Sequence, residues 1–247
     1  MSDQISETSA NISQAAGDSS PSTASISLAF SDKYDKSHAE HYLSKHQATL
    51  ASQLSHWRDV QLARKALHMA GDPNSVLDLP CGAGRFWPVL GEQPNRTIIG
   101  SDNSENMIAI AMHAQPKDIV SRVRPLQTSA FKIDLPNDAV DSIFCMRLIH
   151  HIGDPAHRAQ MLSEFHRVTR DTVIISLWVD GNYKAWRRQS LEAKRLARGK
   201  KSGYQNRFVL PAAQVESEFA QAGFSVVGSM DFLPYYAMWR VYVLRKK

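Results

Sequence analysis

From Asn74 onward, short runs of branched apolar residues alternate with longer stretches whose apolar positions recur at helical spacing. Ser75–Leu79, Thr97–Ser101, Val123–Leu126, Ser142–Met146 and Thr172–Leu177 read as strands. Between them Phe86–Leu90, Ser104–Ala114 and Pro155–Val168 read as helices, the last two opened by Ser104 and by Asp154-Pro155 as cap and first-turn residues. Strands and helices in alternation build a parallel sheet with helices on both faces. A helix over Pro211–Ala222, stopped by Gly223, precedes two last strands, Phe224–Asp231 and Met238–Leu244. Their link is too short for a crossover helix, so they pair antiparallel. The expected fold class is α/β: a doubly wound, mostly parallel seven-stranded sheet with a C-terminal antiparallel hairpin.

Upstream the pattern changes twice. Residues 1–28 are mostly Ser, Thr, Ala, Gln, Asp and Gly, too poor in apolar bulk to offset ordering entropy, and read as a disordered tail. Over 29–72, Tyr42, Leu43, Leu50, Leu54, Trp57, Leu62 and Leu67 recur at roughly helical spacing up to Gly71, giving an N-terminal helical cap. Residues 29–247 then form a single domain, interrupted over 180–208 by a basic insert or lid. A length of 247 residues suits one α/β domain.

Composition removes several classes. With 43% hydrophobic and 21% charged residues the chain is globular in type. No window offers the roughly 18–20 apolar residues of a spanning helix, and no basic start precedes an apolar core as in a signal peptide, so a cytoplasmic location is expected. The two cysteines, Cys81 and Cys145, fit a reducing compartment better than a disulfide framework. The net charge of +5 is a modest excess, and its distribution matters more than its total.

Candidate chemistry concentrates at VLDLPCGAGRF, residues 76–86, where the first strand turns into a helix. Ligands of open α/β sheets sit beyond the carboxyl ends of the strands, normally at this turn. Gly82 and Gly84 let the backbone approach a ligand, and the Asp78 carboxylate suits a cationic amine and repels a pyrophosphate. A dinucleotide loop wants Gly-x-Gly-x-x-Gly; here Pro80 takes the first position and Pro88 and Val89 stand near the third, which weakens a nicotinamide reading. Asp102 ends the next strand 24 residues after Asp78, near the roughly 20-residue spacing of a ribose-binding acid, and can accept from both ribose hydroxyls.

These residues resemble the class I (Rossmann-like) S-adenosylmethionine-dependent methyltransferase family, in which a VLDLGCGTG-like loop binds methionine and an acid ending the second strand binds ribose. QTSAFKIDLPNDAVDSIFCMRLIHHI and HRAQMLSEFHRVTRDTVIISLW resemble its adenine segment, fourth strand, following helix and fifth strand. The resemblance implies S-adenosyl-L-methionine as cofactor, with Asp78, Pro80, Gly82, Gly84, Asp102, Asn103, Met107, Ser129, Ala130, Phe131 and Met146 around it. Ser129 stands where many members have an acid facing adenine; its hydroxyl or the Ala130-Phe131 backbone would bond the adenine amine, with Phe131 an apolar face. Thr169-Arg170-Asp171 replaces the usual Gly-Gly turn.

The expected acceptor is small and anionic, methylated on O or N. His150 and His151 follow the fourth strand, where acceptors sit, and are the candidate general bases against a packing role. Arg147, Trp178, Tyr183 and, from the cap, Tyr34 and Tyr42 are the candidate substrate contacts. Between Tyr183 and Arg207, nine Lys and Arg face one acid, Glu192, with Tyr183, Trp186 and Tyr204 interleaved: a solvated helix face, or a lid for an anionic acceptor or nucleic acid. RNA ranks second as acceptor, because some tRNA methyltransferases carry a similar IHH segment, a Trp after the fifth strand and a basic insert. A non-catalytic binding protein with this fold is the third reading. His38, Glu40, His41 and His46 lack a metal-ligand pattern, and no metal is expected. Oligomeric state is not legible.

Overall fold

The computed structural model describes residues 50–201 and 206–247. Tyr34, Tyr42, Tyr204 and the expected tail lie outside them, as does the cap up to residue 49. The elements run α1 (Leu50–Met69), β1 (Ser75–Asp78), α2 (Trp87–Leu90), β2 (Thr97–Asp102), α3 (Glu105–Ala114), α4 (Lys117–Val120), β3 (Val123–Gln127), β4 (Val140–Cys145), a 3-10 turn (Ile149–His151) and α5 (Pro155–Val168). There follow β5 (Thr169–Trp178), α6 (Tyr183–Ala197), α7 (Ala212–Gln221), β6 (Phe224–Asp231) and β7 (Trp239–Lys246).

One sheet of seven strands results, ordered β3-β2-β1-β4-β5-β7-β6. Its first five strands are parallel, while β7 runs antiparallel to both β5 and β6, as the short link requires. Neighbouring apolar residues on the central strands point to opposite faces. Val76, Ile98, Phe144 and Ile174 meet α1, α2 and α3, whereas Leu77, Ile99, Ile143 and Ile175 meet α5 and α7. Both faces are therefore covered, which is why these strands are continuously apolar.

Direction reverses between β1 and β4, since the chain winds from β1 outward to β3 and then returns to β4. Loops at their carboxyl ends diverge there and open a crevice. Trp87 is fully buried behind it, lying where a Cβ on Gly100 would come within 2.4 Å of its ring and one on Gly84 within 2.9 Å. Gly84, at φ +69°, thus serves the packing of Trp87 as much as the turn.

The basic insert is largely a helix. Asn182 caps α6 by accepting from the Ala185 N–H, and only Ala185 and Glu192 are buried along it. At its start the N–H groups of Tyr183 and Lys184 donate to Tyr235 and Tyr236 carbonyls; beyond its end, Phe208 N–H donates to the His150 carbonyl. The insert thereby sits at the carboxyl-end rim of the sheet. No helix among the described residues is long and apolar enough to cross a membrane.

Candidate active site

The carboxyl ends of β1, β2, β4 and β5 enclose a cavity of about 470 Å³. Its donor end is built around Asp102. One carboxylate oxygen accepts the Gly82 N–H and the other the Ser104 N–H, both at 3.0 Å. Ser104 also caps α3, accepting from Met107 N–H, so the acid is left to the cavity and is not needed as the helix cap. Burial raises the Asp102 carboxyl, opposed by those N–H bonds. Each oxygen keeps a second lone pair, the requirement for gripping vicinal hydroxyls.

Beyond Asp102 the wall continues over Thr128, Ser129, Ala130 and Phe131. Ser129 Oγ accepts from the Phe131 N–H at 3.2 Å, which takes that backbone donor out of play for a ligand. Ser129 and Ala130 line the cavity on this side. Thr128 fixes the turn by donating to the Lys132 carbonyl while accepting from Asp134 N–H.

Pro80, Gly82, Asp102, Asn103, Met107, Ser129, Ala130, Phe131, Met146, Arg147, His150, His151 and Trp178 all line this one cavity. Asp78 and Gly84 do not. Asp78 is 1% exposed, behind the loop, and one of its oxygens lacks a hydrogen-bond partner. Burial pushes its carboxyl well up; the Trp87 indole N–H, too loosely placed for a regular bond, opposes this only in part, and Asp102 adds to it. The expected direct carboxylate–amine contact is thus corrected: Asp78 is buried off the cavity wall. Tyr183 also lies off the cavity, half exposed on the rim and stacked on Tyr236 at 5.8 Å.

At the acceptor end, the His150 ring is 3% exposed and packs between His151, Trp178 and Trp239, with ring centroids 4.0, 4.9 and 4.8 Å away. Burial, aided by neighbouring His151 and Arg207, brings its pKa down to about 2. A base must titrate near working pH, so His150 serves as a neutral aromatic wall; this corrects its expected base role. His151 is less buried, and its Nδ1 donates to the Asn206 carbonyl at 3.0 Å, leaving Nε2 as the lone-pair nitrogen.

Arg147 stands at φ +66°, a left-handed conformation that costs a non-glycine residue on the order of 1–3 kcal/mol. Its N–H donates to Ser176 Oγ, its guanidinium lies 4.8 Å over the Trp239 ring, and it is ion-paired with Asp59 of α1. Asp59 also receives Arg85 at 2.6 Å, and Arg85 bonds His56 at 2.9 Å. Asp59, Arg85 and Trp239 went unnoticed as site residues in the sequence, whereas Arg207 was read there only as part of the basic insert. A buried acid on a helix looks like any surface charge until its partners are known.

The donor end suits an adenosine, with the Asp102 carboxylate open to the cavity for vicinal hydroxyls and the Ser129–Phe131 turn on the wall beside it. Residues 76–172 match the family of the methyltransferase domain. The tRNA U34 carboxymethyltransferase of Alteromonas mediterranea is 32% identical over 114 residues, 44% of this chain and 34% of that one. Its counterpart from Shewanella loihica is 28% identical over 182 residues, 71% of this chain and 52% of that one. The chain thus spans between about a third and a half of these relatives' length. Among solved structures, magnesium protoporphyrin IX methyltransferase from Synechocystis PCC 6803 with bound S-adenosylhomocysteine superposes with TM-score 0.68 at 14% identity, covering 87% of this chain and 97% of that one. Fold, motif order and donor-end chemistry agree: residues 76–172 form the core of a class I S-adenosylmethionine-dependent methyltransferase domain, with S-adenosylmethionine as its cofactor.

Proposed function

We propose that the domain transfers its methyl group to a base in RNA, with tRNA the first acceptor to test. The carrying observation is the acceptor end of the cavity, where Trp178, Trp239 and His150 form an aromatic wall beside Arg147 and Arg207. Aromatic faces and guanidinium groups together suit an unstacked base with its adjoining phosphates. The relatives named as tRNA-modifying enzymes support this choice over the small-molecule acceptor expected from the motifs.

Bound S-adenosylmethionine supplies an electrophilic methyl on a sulfonium that leaves as a neutral thioether. The chain's own work is to hold the acceptor atom in line and exclude water. Asp102 anchors the donor end, the Ser129–Phe131 turn bounds the adenine side, and the aromatic wall fixes the plane of the acceptor. His151, with Nε2 unprotonated, is the group positioned to relay a proton from an acceptor that must lose one.

Incubation with methyl-labelled S-adenosylmethionine and unmodified tRNA should place label in the RNA, and digestion to nucleosides should locate it on a base. Absence of label from RNA, with label entering small anionic metabolites instead, would reverse the assignment.

A further inference from the structure

Charge is divided along the cavity. Asp102 is the one acid on its described wall and stands at the donor end, while Arg85, Arg147 and Arg207 line the remainder with His150 and His151. Arg85 and Arg147 both reach the same oxygen of Asp59, a residue only 5% exposed in α1. Arg207 has no acidic partner among the described residues.

Arg147 is held by three independent devices. Its backbone is in the left-handed region, Ser176 binds its N–H, and Trp239 and Asp59 fix its guanidinium. An arginine that merely solubilised the rim would need none of these. A guanidinium fork fixed in place on an aromatic face is suited to planar, bidentate recognition of an oxyanion.

We propose that Arg147 and Arg207 form an oxyanion-group receptor beside the aromatic wall, which takes a phosphate adjoining the base to be modified, and that Asp59 is the positioning residue that aims Arg147. The identity of the oxyanion as phosphate rests on the RNA reading; the receptor itself does not. Asp59 also ties α1 to the cavity, so the receptor is completed only when α1 is docked on the sheet.

The experiment follows tryptophan emission of the S-adenosylhomocysteine-saturated protein, because Arg147 lies on Trp239 and Trp178 is adjacent. Three probes are titrated at constant ionic strength: inorganic phosphate, uridine and uridine 5′-monophosphate. The native chain should bind phosphate saturably, and the nucleotide at least about tenfold tighter than the nucleoside, the scale of one charge-assisted hydrogen bond. Arg207→Gln, which leaves the reporter contact intact, and Arg147→Gln should each remove most of that difference while S-adenosylhomocysteine binds as before. Asp59→Asn, which keeps an amide oxygen to aim Arg147 while removing its counter-charge, should raise phosphate affinity by a few fold. A purely structural role for this cluster predicts loss in all three variants.

Absence of saturable phosphate binding by the native chain, or undiminished binding by both arginine variants, overturns the receptor. If Asp59→Asn fails to fold in a thermal melt, the two arginine variants still decide. Saturable, arginine-dependent phosphate binding without any label in RNA would keep the receptor and remove the RNA reading.

Discussion

At the scale of single residues, two acids that look alike in sequence part company through burial. Asp102 opens onto the cavity with two backbone N–H groups on its oxygens, whereas Asp78 is sealed behind the loop. Asp102→Ala removes the ribose acceptors and strands the Gly82 and Ser104 donors, so S-adenosylhomocysteine affinity should fall by about a hundredfold or more in calorimetry, at about 1.5–3 kcal/mol per charge-assisted bond. Asp78→Asn should act differently. Its carboxyl titrates well above 3.8 when folded, so as pH rises past 3.8 the unfolded chain releases a proton that the folded chain retains, and stability is lost. At neutral pH the Asn variant should therefore melt higher than the native chain, with a smaller loss of affinity than Asp102→Ala. Equal loss in both variants would return Asp78 to direct contact with the donor.

His150 gives the opposite sign. With a folded pKa of about 2 against 6.5 unfolded, the unfolded chain binds the extra proton as pH falls below 6.5, and stability drops through that window. Between about pH 7 and about pH 5 this removes about 2 kcal/mol, at about 1.4 kcal/mol per unit. His150→Phe should abolish that part of the acid sensitivity in urea unfolding. The pH profile of methyl transfer should survive the change, because a neutral wall donates no titration to it. The sequence located this histidine correctly at the end of β4, but the ring's partners Trp178 and Trp239 come from β5 and β7, and only their convergence shows that it is buried.

At the scale of elements, what was legible followed from periodicity, and what was missed followed from side-chain hydrogen bonds. Branched apolar runs marked all seven strands, and α5 and β6 fall on their expected bounds. Thr169-Arg170-Asp171, expected as a turn, instead begins β5, because Thr169 Oγ1 reaches the Asp141 and Thr172 carbonyls and draws the chain into the ladder early. The four-residue α4 escaped notice, since so short a helix has no period to read. Arg158 escaped too: it is 1% exposed, donates to the Ile152 and Gly153 carbonyls just after the 3-10 turn, and forks onto both oxygens of Glu218 in α7. It fastens the histidine turn to α5 and α7. Arg158→Met should cost about 3–5 kcal/mol in urea unfolding by leaving Glu218 unpaired, and adding Glu218→Leu should restore part of that loss. If the double variant is no more stable than the single one, the carbonyl bonds are the main cost.

At the scale of the molecule, the modest excess of positive charge matters because of where it lies. Along α6 the exposed Lys184, Arg187, Lys194, Arg195 and Arg198 occupy one side of the helix, with exposed Trp186 and Leu196 on another, and the helix is fastened at the cavity rim through the Tyr235 and Tyr236 carbonyls. A merely solvated face would not care about ionic strength. A face that tracks a phosphate backbone releases counterions, and affinity then falls with salt by a logarithmic slope of about 0.7 for each single-stranded phosphate contacted. Replacing Arg187, Lys194 and Arg198 together by Gln should lower the magnitude of that slope for tRNA by about 2. The same triple variant should bind uridine 5′-monophosphate and S-adenosylhomocysteine as the native chain does, because none of the three residues lines the cavity. That separation would identify α6 as the element that gathers the proposed RNA acceptor and Arg147 with Arg207 as the pair that seats one phosphate. An unchanged slope would make α6 an ordinary solvated helix and confine acceptor recognition to the cavity.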